Sequence, residues 1–303
     1  MENFDRLYGR LRREVPGLEL RREEPMSRHT TFRVGGPAAL MALPGAEEEL
    51  LAAVALAREE GVRPLWVGAG SNLLVDDGGL NAFVVKTVPR MNRCRVEGTG
   101  LTAWAGAPLA QVASAAADHG LTGLEFAHGI PGSLGGAVTM DAGAYDGEMR
   151  QVVRSVRALN ERGAVEELTA EQCAFGYRRS LFSDGRRLVL SARLELRPGD
   201  PEAIRTRMAE LMARRREKQP LEYPSAGSTF KRPEGHFAAA LIDGCGLKGL
   251  TVGGARVSEK HAGFIINAGG ATCRDILTLM DRVRDRVFRE TGVALEPEVK
   301  YLR

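Results

Sequence analysis

The sequence predicts a mixed α/β protein with two or three domains. Its 303 residues are more than a single domain usually holds. The spacing of apolar residues alternates along the chain between the period of a helix and that of a strand. Glycine accounts for 36 residues, well above the ~7% of an average protein, and the glycines are clustered. The mixed periods predict the fold class, and the glycine clusters indicate the candidate sites.

Composition narrows the class of protein further. Hydrophobic residues make up 44% and charged residues 27% of the chain, which is typical of globular proteins and excludes a disordered chain. Lys and Arg outnumber Asp and Glu by only 42 to 39, too small an excess for a nucleic-acid-binding surface. The four cysteines form no C-x-x-C pair, so a zinc ribbon or a thioredoxin-like motif is unsupported. Residues 1–5 lack the features of a secretory signal, and no apolar run is long enough to span a bilayer. A cytoplasmic protein is therefore expected.

The elements follow in chain order from periodicity and from capping residues. Leu7, Leu11 and Val15 have helical spacing, so residues 1–28 are expected to form a leading amphipathic helix. The other predicted elements are a helix over 46–60, strands over 65–67 and 73–75, a helix from Pro108, a hairpin over 152–168 that turns at 160–163, a strand over 188–197, a helix over 201–218, a segment poor in strands, and a helix over 273–290. Domain boundaries are placed near residues 87 and 216.

Two glycine clusters predict loops that a ligand can approach closely. Gly68–Leu73 lies between two short strands, and Gly129–Ala137 contains four glycines and a proline. Where side chains are missing, backbone N–H groups can face an anion or a flat ring. A plain β-turn and a structural connection are the alternatives. A third string, Gly244–Gly249, matches G-x-G-x-x-G, but it follows a helical pattern and precedes a strand. It predicts a helix C-cap and a turn rather than a dinucleotide site.

Three further strings carry chemically active side chains. Phe175–Ser180 puts two guanidinium groups beside a phenol, Pro224–Lys231 puts hydroxyls before a cation, and Leu295–Lys300 puts two acids around a proline. Each string alone could be a salt bridge, a turn or a strand end. Together they supply a cation, a proton donor and an acid, which is the set needed to polarise and protonate a substrate that carries a carboxylate.

Seven motifs, in order, carry a resemblance to one known family. They are His29–Gly36, Gly68–Leu74, Gly129–Gly136, Tyr177–Ser180, Ala226–Phe230, Ser258–Phe264 and Glu296–Val299. With these motifs the chain closely resembles the UDP-N-acetylenolpyruvoylglucosamine reductases from about residue 29 to its end. Little chain separates Ser180 from Ser228, so it is similar to the shorter variant of that family, which lacks an inserted subdomain.

The resemblance implies a flavoenzyme built from three parts. The FAD-binding part would have the vanillyl-alcohol-oxidase (PCMH-type) fold, with residues 1–87 as its first subdomain and residues 88–215 and 292–303 as its second. Residues 216–291 would form a C-terminal α/β substrate-binding domain. The family holds FAD non-covalently, reduces it with NADPH, and then reduces UDP-N-acetylglucosamine enolpyruvate to UDP-N-acetylmuramate in peptidoglycan precursor synthesis. The resemblance implies small-molecule substrates, and we expect a monomer with no nucleic-acid or membrane partner.

The resemblance also assigns roles to individual residues. Arg178 and Glu298 would stabilise the enolate-like intermediate that forms when hydride reaches the vinyl carbon, and Ser228 would protonate the adjacent carbon. Glu298 can donate a hydrogen bond only when protonated, so its pKa should be raised. The substrate-binding candidates are Tyr177, Lys231 and Lys248, although the lysines could equally be ordinary surface charges. The cofactor-binding candidates are Arg33, Gly68, Ala69, Gly70, Ser71, Asn72, Leu73, Gly129, Ile130, Pro131, Gly132, Ser133, Gly135, Gly136 and Ala137.

Two positions depart from the family pattern, and two other functions remain open. Asp141 and Asp146 stand where the usual string has Asn and Gly, and an acid close to the flavin or to the phosphates of NADPH would be unfavourable. One alternative function is an oxidase of the same fold that passes electrons to oxygen, with His29 or His128 as a candidate for covalent flavin attachment. The other is a non-catalytic nucleotide-binding protein. The presence of all three catalytic candidates favours the reductase.

Overall fold

The structure is a computed structural model that describes residues 2–303 as a mixture of helices and short strands. Its α-helices are, in chain order, α1 Glu2–Glu14, α2 Glu47–Glu59, α3 Leu109–Asp118, α4 Leu134–Met140, α5 Pro201–Lys218, α6 Ala238–Gly244 and α7 Cys273–Thr291. Its β-strands are β1 Glu19–Pro25, β2 Pro37–Leu43, β3 Pro64–Val67, β4 Leu73–Val75, β5 Leu80–Lys86, β6 Cys94–Glu97, β7 Gly100–Trp104, β8 Leu121–Thr122, β9 Gly143–Ala144, β10 Gly147–Glu148, β11 Val153–Leu159, β12 Val165–Thr169, β13 Leu188–Glu195, β14 Arg197–Pro198, β15 Thr251–Val252, β16 Ala255–Val257, β17 Ile265–Asn267 and β18 Lys300–Leu302. The mixed α/β class is confirmed.

The chain divides into two compact units, each assembled from separate segments. The first unit contains the described residues up to Arg22 together with Leu40–Ala69 and Ala82–Arg214. The second contains Glu23–Ala39, Gly70–Asn81 and Arg215–Arg303. Both units therefore draw residues from either side of the boundary predicted near residue 87.

The first unit is organised around a five-stranded antiparallel sheet in the order β12-β11-β13-β7-β6. One hydrophobic cluster joins this sheet to α3 and α4, with Leu101 and Val156 fully buried beside Leu134 and Val138. A second cluster joins the ends of β11 and β13 to α1 and α2. The first of these clusters, against which Ile130 also packs, therefore holds the loop that precedes α4 close to the sheet.

Helix α2 shows how sequence pattern and burial coincide in this unit. Leu50, Ala53, Val54 and Ala57 recur at helical spacing and are all buried, so one face of the helix is removed from water. Glu47–Glu49 occupy the first turn, where carboxylates interact favourably with the helix dipole. Burial of such a stripe stabilises the helix more than propensity does, because short isolated helices are marginal in water.

The second unit is built on α7 and on the small antiparallel sheet β15-β16-β17. Ile276, Leu279, Met280, Val283 and Val287 form the buried stripe of α7. The helix begins with a capping box between Thr272 and Asp275, which satisfies backbone N–H groups that have no partner inside the helix.

A loop from a distant part of the sequence completes the N-terminus of α7. The carboxylate of Asp77 accepts hydrogen bonds from the backbone N–H groups of Cys273, at 2.7 Å, and Arg274, at 3.1 Å. A negative side chain at this end of a helix also interacts favourably with the helix dipole. Beside it, β4 pairs in parallel with β18, so that Leu73 faces Lys300.

Most of the predicted elements are confirmed. The helices expected over 46–60, 201–218 and 273–290 are present as α2, α5 and α7, and the hairpin over 152–168 is formed by β11 and β12. The strands on either side of the first glycine cluster are β3 and β4. The string Gly244–Gly249 is a helix end followed by a turn, as predicted, because α6 stops at Gly244 and β15 follows.

Two expectations were wrong. Residues 1–28 do not form a single helix: α1 ends at Glu14, Pro16 and Gly17 follow, and β1 begins at Glu19. Proline and glycine end a helix because one lacks an N–H group and the other favours non-helical backbone angles. The segment after α5 was expected to be poor in strands, but besides the predicted strand β15 it contains β16 and β17. Within residues 2–303, no helix combines the length and the apolar character needed to cross a bilayer.

Candidate active site

The first glycine cluster forms a loop in which backbone groups approach one another without intervening side chains. A Cβ atom added to Gly68 would lie 2.5 Å from Oγ of Ser133. Gly70 has a φ of +67° and a Cβ there would lie 1.9 Å from the carbonyl oxygen of His29. Only glycine combines that backbone angle with that approach. The backbone N–H of Thr31 also donates to the carbonyl of Gly70, at 3.2 Å.

The second glycine cluster is held against the segment that follows β7. The N–H groups of Leu134 and Gly135 donate to the carbonyls of Ala107 and Ala105, at 2.8 and 2.9 Å. A Cβ on Gly135 would lie 2.9 Å from Cβ of Ala105, so this glycine is required for packing within the protein. Its contact with FAD stays a prediction.

The residues present fit a bound FAD at these loops. Ser133 is 1% exposed and its Oγ has no hydrogen-bond partner among residues 2–303, although buried hydroxyls are usually paired. A Cβ on Gly136 would meet only that same Oγ, at 3.7 Å, so the backbone there is open to a neighbouring group. Hydroxyls and open glycine backbone are the groups that a nucleotide cofactor requires.

The departure at Asp141 has a structural explanation. Asp141 ends α4 with a φ of +43°, a conformation that Asp and Asn adopt more readily than most residues. Its Oδ1 accepts a hydrogen bond from the backbone N–H of Arg150, at 2.9 Å, and its Oδ2 lies 3.6 Å from Nε of Arg150. Asp146 lies with Tyr145 in the tight turn between β9 and β10, and both have positive φ. Both acids therefore shape this loop through their backbone angles.

We expect Asp141→Asn to stabilise the protein at neutral pH and less so in acid. Burial raises the pKa of Asp141, although the Arg150 N–H acts in the opposite direction. A carboxyl whose folded pKa is raised contributes stability that is present below its unfolded pKa and is lost as pH rises through the folded pKa. Asparagine stays neutral and keeps the hydrogen bond, so a gain of about 0.5–1 kcal/mol is expected at pH 8, after the loss of a partly exposed ion pair.

Urea unfolding at pH 5 and pH 8 measures this difference. Asp146→Asn is the matched control, because Asp146 is exposed and also has positive φ. If Asp141→Asn were less stable than the parent at both pH values, the ion pair with Arg150 would outweigh the burial of the carboxylate.

Arg178 lies in a two-residue turn of the first unit. The backbone groups of Gly176 and Arg179 exchange hydrogen bonds across this turn, at 3.0 and 2.9 Å, and Arg178 has a φ of +56°. One guanidinium nitrogen, Nη2, donates to the carbonyl of Gly143 at 3.3 Å. The guanidinium carbon lies 5.4 Å from the centre of the Tyr177 ring, a cation–π distance. The turn thus holds Arg178 in a backbone conformation that a non-glycine residue rarely adopts.

Ser228 and Glu298 lie on paired segments of the second unit. The backbone N–H of Glu298 donates to the carbonyl of Thr229, at 2.8 Å, and Phe230 faces Pro297 in an antiparallel bridge. Asn72, from the first glycine cluster, donates from its side-chain amide to the carbonyl of Glu298, at 3.1 Å. The structure therefore brings a predicted proton donor, a predicted acid and a predicted cofactor-binding residue together within one unit.

Thr229 fixes the backbone next to Ser228. It is fully buried, its N–H donates to the carbonyl of Gly263 at 2.8 Å, and its Oγ1 accepts from the N–H of Ile265 at 3.0 Å. Ser228 itself is exposed. Ser228 is thus an exposed residue next to a firmly anchored one.

The predicted substrate-binding cations are engaged in ion pairs in this structure. Nζ of Lys231 pairs with Glu296, and Nζ of Lys248 lies 2.8 Å from Oδ2 of Asp243. Arg33 is exposed and has a φ of +56°. These contacts leave the predicted roles of the three residues untested.

Two residues of interest were not found from the sequence. Lys86 is 7% exposed and donates from Nζ to the carbonyl of Gly68, at 3.2 Å, and burial lowers its pKa to about 8. His261 accepts a hydrogen bond at Nδ1 from the N–H of Gly263, at 3.2 Å, and burial lowers its pKa. Lys86 lies outside the family motifs, and Gly68, which it contacts, comes from another part of the chain. His261 lies within the motif Ser258–Phe264, but its spacing to the other histidines indicated no role for it.

Two protein families match different parts of this chain. Residues 38–169 match the family described as "FAD binding domain", and residues 219–302 match the family described as "UDP-N-acetylenolpyruvoylglucosamine reductase, C-terminal domain". The fold is therefore that of a vanillyl-alcohol-oxidase-type FAD-binding oxidoreductase with a C-terminal α/β domain.

Individual relatives define the family more closely. The chain is 45% identical over 302 residues to UDP-N-acetylenolpyruvoylglucosamine reductase of Clostridioides difficile, covering all of this chain and 99% of the relative. It is 48% identical over 277 residues, 91% of each chain, to the enzyme of the same name from Caldanaerobacter subterraneus. A solved structure of the Thermus caldophilus enzyme of this name matches with a TM-score of 0.81 at 36% identity, over 94% of this chain and 99% of that one. The chain belongs to the UDP-N-acetylenolpyruvoylglucosamine reductase family.

Proposed function

We propose that this chain reduces UDP-N-acetylglucosamine enolpyruvate to UDP-N-acetylmuramate, with FAD as cofactor and NADPH as hydride donor, in peptidoglycan precursor synthesis. The observation that carries the proposal is the hydrogen bond from the N–H of Glu298 to the carbonyl of Thr229. It sets the backbone of Glu298 beside the segment that contains Ser228, within a chain that aligns with a named reductase over its whole length.

Bound FAD would supply the hydride chemistry that links NADPH to the vinyl carbon of the substrate. The side chains of the protein would then stabilise the negative charge that develops on the substrate and donate a proton to it. We assign the proton to Ser228, whose hydroxyl would protonate the carbon that bears the carboxylate. A serine hydroxyl is a very weak acid in water, so it can serve only against a strongly basic carbanion in a preorganised site.

We assign to Arg178 and Glu298 the stabilisation of the negative charge that develops on the substrate. A guanidinium can pair with a carboxylate through two parallel hydrogen bonds, which suits Arg178 to the substrate carboxylate. Glu298 would donate a hydrogen bond in its protonated form, and its backbone position is fixed by the bonds to Thr229 and Asn72. Both groups would act where charge appears during reduction, which is where electrostatic stabilisation accelerates a reaction most.

We propose that Lys231 and Lys248 bind the phosphates of the substrate. The exposed ring of Tyr177 would contact the substrate as well. Each lysine already pairs with a carboxylate at the surface. Such exposed pairs contribute little to stability, so a diphosphate could replace the carboxylate at small cost. The three-part division at residues 87, 215 and 291, the cytoplasmic location and the monomeric state belong to the same proposal.

Spectroscopy of the purified protein tests this function. We expect a yellow protein that releases FAD on heating, that NADPH bleaches without oxygen, and that the enolpyruvyl sugar re-oxidises to a product two hydrogen atoms heavier. A reduced protein that oxygen re-oxidises rapidly while the enolpyruvyl sugar does not would identify an oxidase instead. A colourless protein that takes up no FAD would leave a non-catalytic nucleotide-binding role.

A further inference from the structure

Lys86 is a buried cation at the end of β5. It pairs in parallel register with Val67, the last residue of β3, and only 7% of it is exposed. Its Nζ donates to the carbonyl of Gly68 at 3.2 Å. The ammonium group therefore contacts the first residue of the first glycine cluster.

Among residues 3–303, no carboxylate acts on this charge. The strands on either side of β5 in its sheet are β2 and β3, and neither contains an acidic or a basic residue. The charged group that acts on Lys86 is Arg21 of β1, itself bonded to Glu19 at 2.7 Å. Desolvation first, and Arg21 second, lower the pKa of Lys86 to about 8. An isolated buried ammonium group is costly, and an apolar side chain of similar length would avoid the cost.

The surroundings of Gly68 indicate why a cation is present. Oγ of Ser133 is buried, has no partner in the described part of the chain, and would lie 2.5 Å from a Cβ on Gly68. A hydroxyl and an ammonium group thus both reach one glycine of a loop whose backbone suits an anion. A lysine is a compact charge that commonly binds phosphate.

We propose that Lys86 provides the buried positive charge that pairs with the diphosphate of bound FAD. The inference rests on the proposed function, since it takes FAD as the cofactor, and it assigns a role to a residue outside the family motifs quoted above. Gly68 would hold the ammonium group in place through its carbonyl, and Ser133 would add a neutral hydrogen bond from the other side.

Pairing with the diphosphate of FAD should change the protonation of Lys86. An anion beside an ammonium group raises its pKa, so Lys86 should take up a proton when FAD binds at a pH near its present pKa of about 8. At pH 8 about half of the Lys86 groups are neutral before binding, and the uptake approaches about half a proton for each FAD. At pH 6.5 Lys86 is already charged in both states, so the uptake from this residue disappears.

Three variants of the full chain test the inference, each prepared with FAD and after removal of FAD. They are Lys86→Met, Lys86→Arg and the control Lys218→Met, which changes an exposed lysine at the end of α5. Calorimetric titration with FAD in two buffers of different ionisation enthalpy gives the affinity and the proton uptake together. Unfolding by urea gives the stability of the FAD-free and FAD-bound forms.

We expect Lys86→Met to weaken FAD binding about 10- to 100-fold, the range for a lost charge-assisted hydrogen bond, and to abolish the uptake at pH 8. Lys86→Arg should recover part of the affinity, and Lys218→Met should match the parent. The FAD-free form of Lys86→Met should be at least as stable as the parent at pH 7, because an unbalanced buried charge has been removed.

The opposite pattern overturns the inference. Equal destabilisation of the FAD-free and FAD-bound forms would make Lys86 a structural link to Gly68 alone. An unchanged affinity with a shifted flavin reduction potential would place Lys86 against the flavin ring. Normal FAD binding by the parent without proton uptake at pH 8 refutes the role of Lys86 and leaves the proposed function intact. A parent that binds no FAD overturns both.

Discussion

Replacing Ser228 with alanine is expected to slow oxidation of the reduced enzyme by the enolpyruvyl sugar by at least ~10²–10⁴-fold, the usual contribution of a general acid. Reduction of the FAD by NADPH should stay within a few fold of the parent, because no substrate carbon is protonated in that step. Stopped-flow measurement of each half-reaction separates the two effects.

Loss of the Ser228 hydroxyl should leave the local backbone unchanged, so a slower half-reaction would report the loss of proton transfer. The adjacent Thr229 is anchored to Gly263, Ile265 and Glu298 by hydrogen bonds that do not involve the side chain of Ser228. Ser225→Ala is a matched control, since it removes a hydroxyl three residues earlier in the same segment. If both half-reactions of Ser228→Ala fell equally, the serine would not be the proton donor and a loss of FAD would be the better explanation.

Replacing Arg178 with glycine is expected to slow oxidation of the reduced enzyme by the enolpyruvyl sugar by ~10²–10³-fold. The Arg178→Gly protein is also expected to be more stable to unfolding than the Arg178→Ala protein. The activity falls because removal of one preorganised charge-stabilising group typically costs that factor. The stability rises because Arg178 has a φ of +56°, which costs an L-residue about 1–2 kcal/mol and costs glycine almost nothing.

Arg178→Lys and Arg179→Ala complete this experiment. Lysine should restore only part of the rate, because an ammonium group cannot pair with a carboxylate in the bidentate manner of a guanidinium. Arg179 is exposed in the same turn, so Arg179→Ala should keep the parent rate. A rate retained by Arg178→Gly would remove Arg178 from the reaction, and thermal unfolding of each variant would show whether the turn itself had changed.

The parts of the fold that could be predicted are those in which local pattern and burial agree. Helix α7 was predictable because its apolar stripe, its capping box and the following Gly292 all indicate the same element. Strand β1 was missed because Glu19–Pro25 carries mostly charged side chains and only one of its residues is buried. Strands β16 and β17 have three residues each, too few for a period to be recognised.

The residues of the candidate site also divide into those that the local sequence indicates and those that it does not. The glycine clusters could be identified because their composition is unusual in itself, and Ser228 and Glu298 because the family motifs surround them. Lys86 could not be identified, since its burial arises from β2 and β3, which lie far from it in the sequence. The bond from Asn72 to Glu298 joins residues 226 positions apart, and no local signal can indicate such a partner.

That long-range bond also constrains the order in which a growing polypeptide can mature. During synthesis on the ribosome, Asn72 emerges long before Glu298 exists, and β4 emerges long before β18, with which it pairs. Contacts between segments so distant in sequence form slowly and late. The first glycine loop can therefore be held early by Thr31 and Lys86, but it lacks its bond to Glu298 through most of translation. A loop with all of these contacts is available to FAD only after β18 has been synthesised.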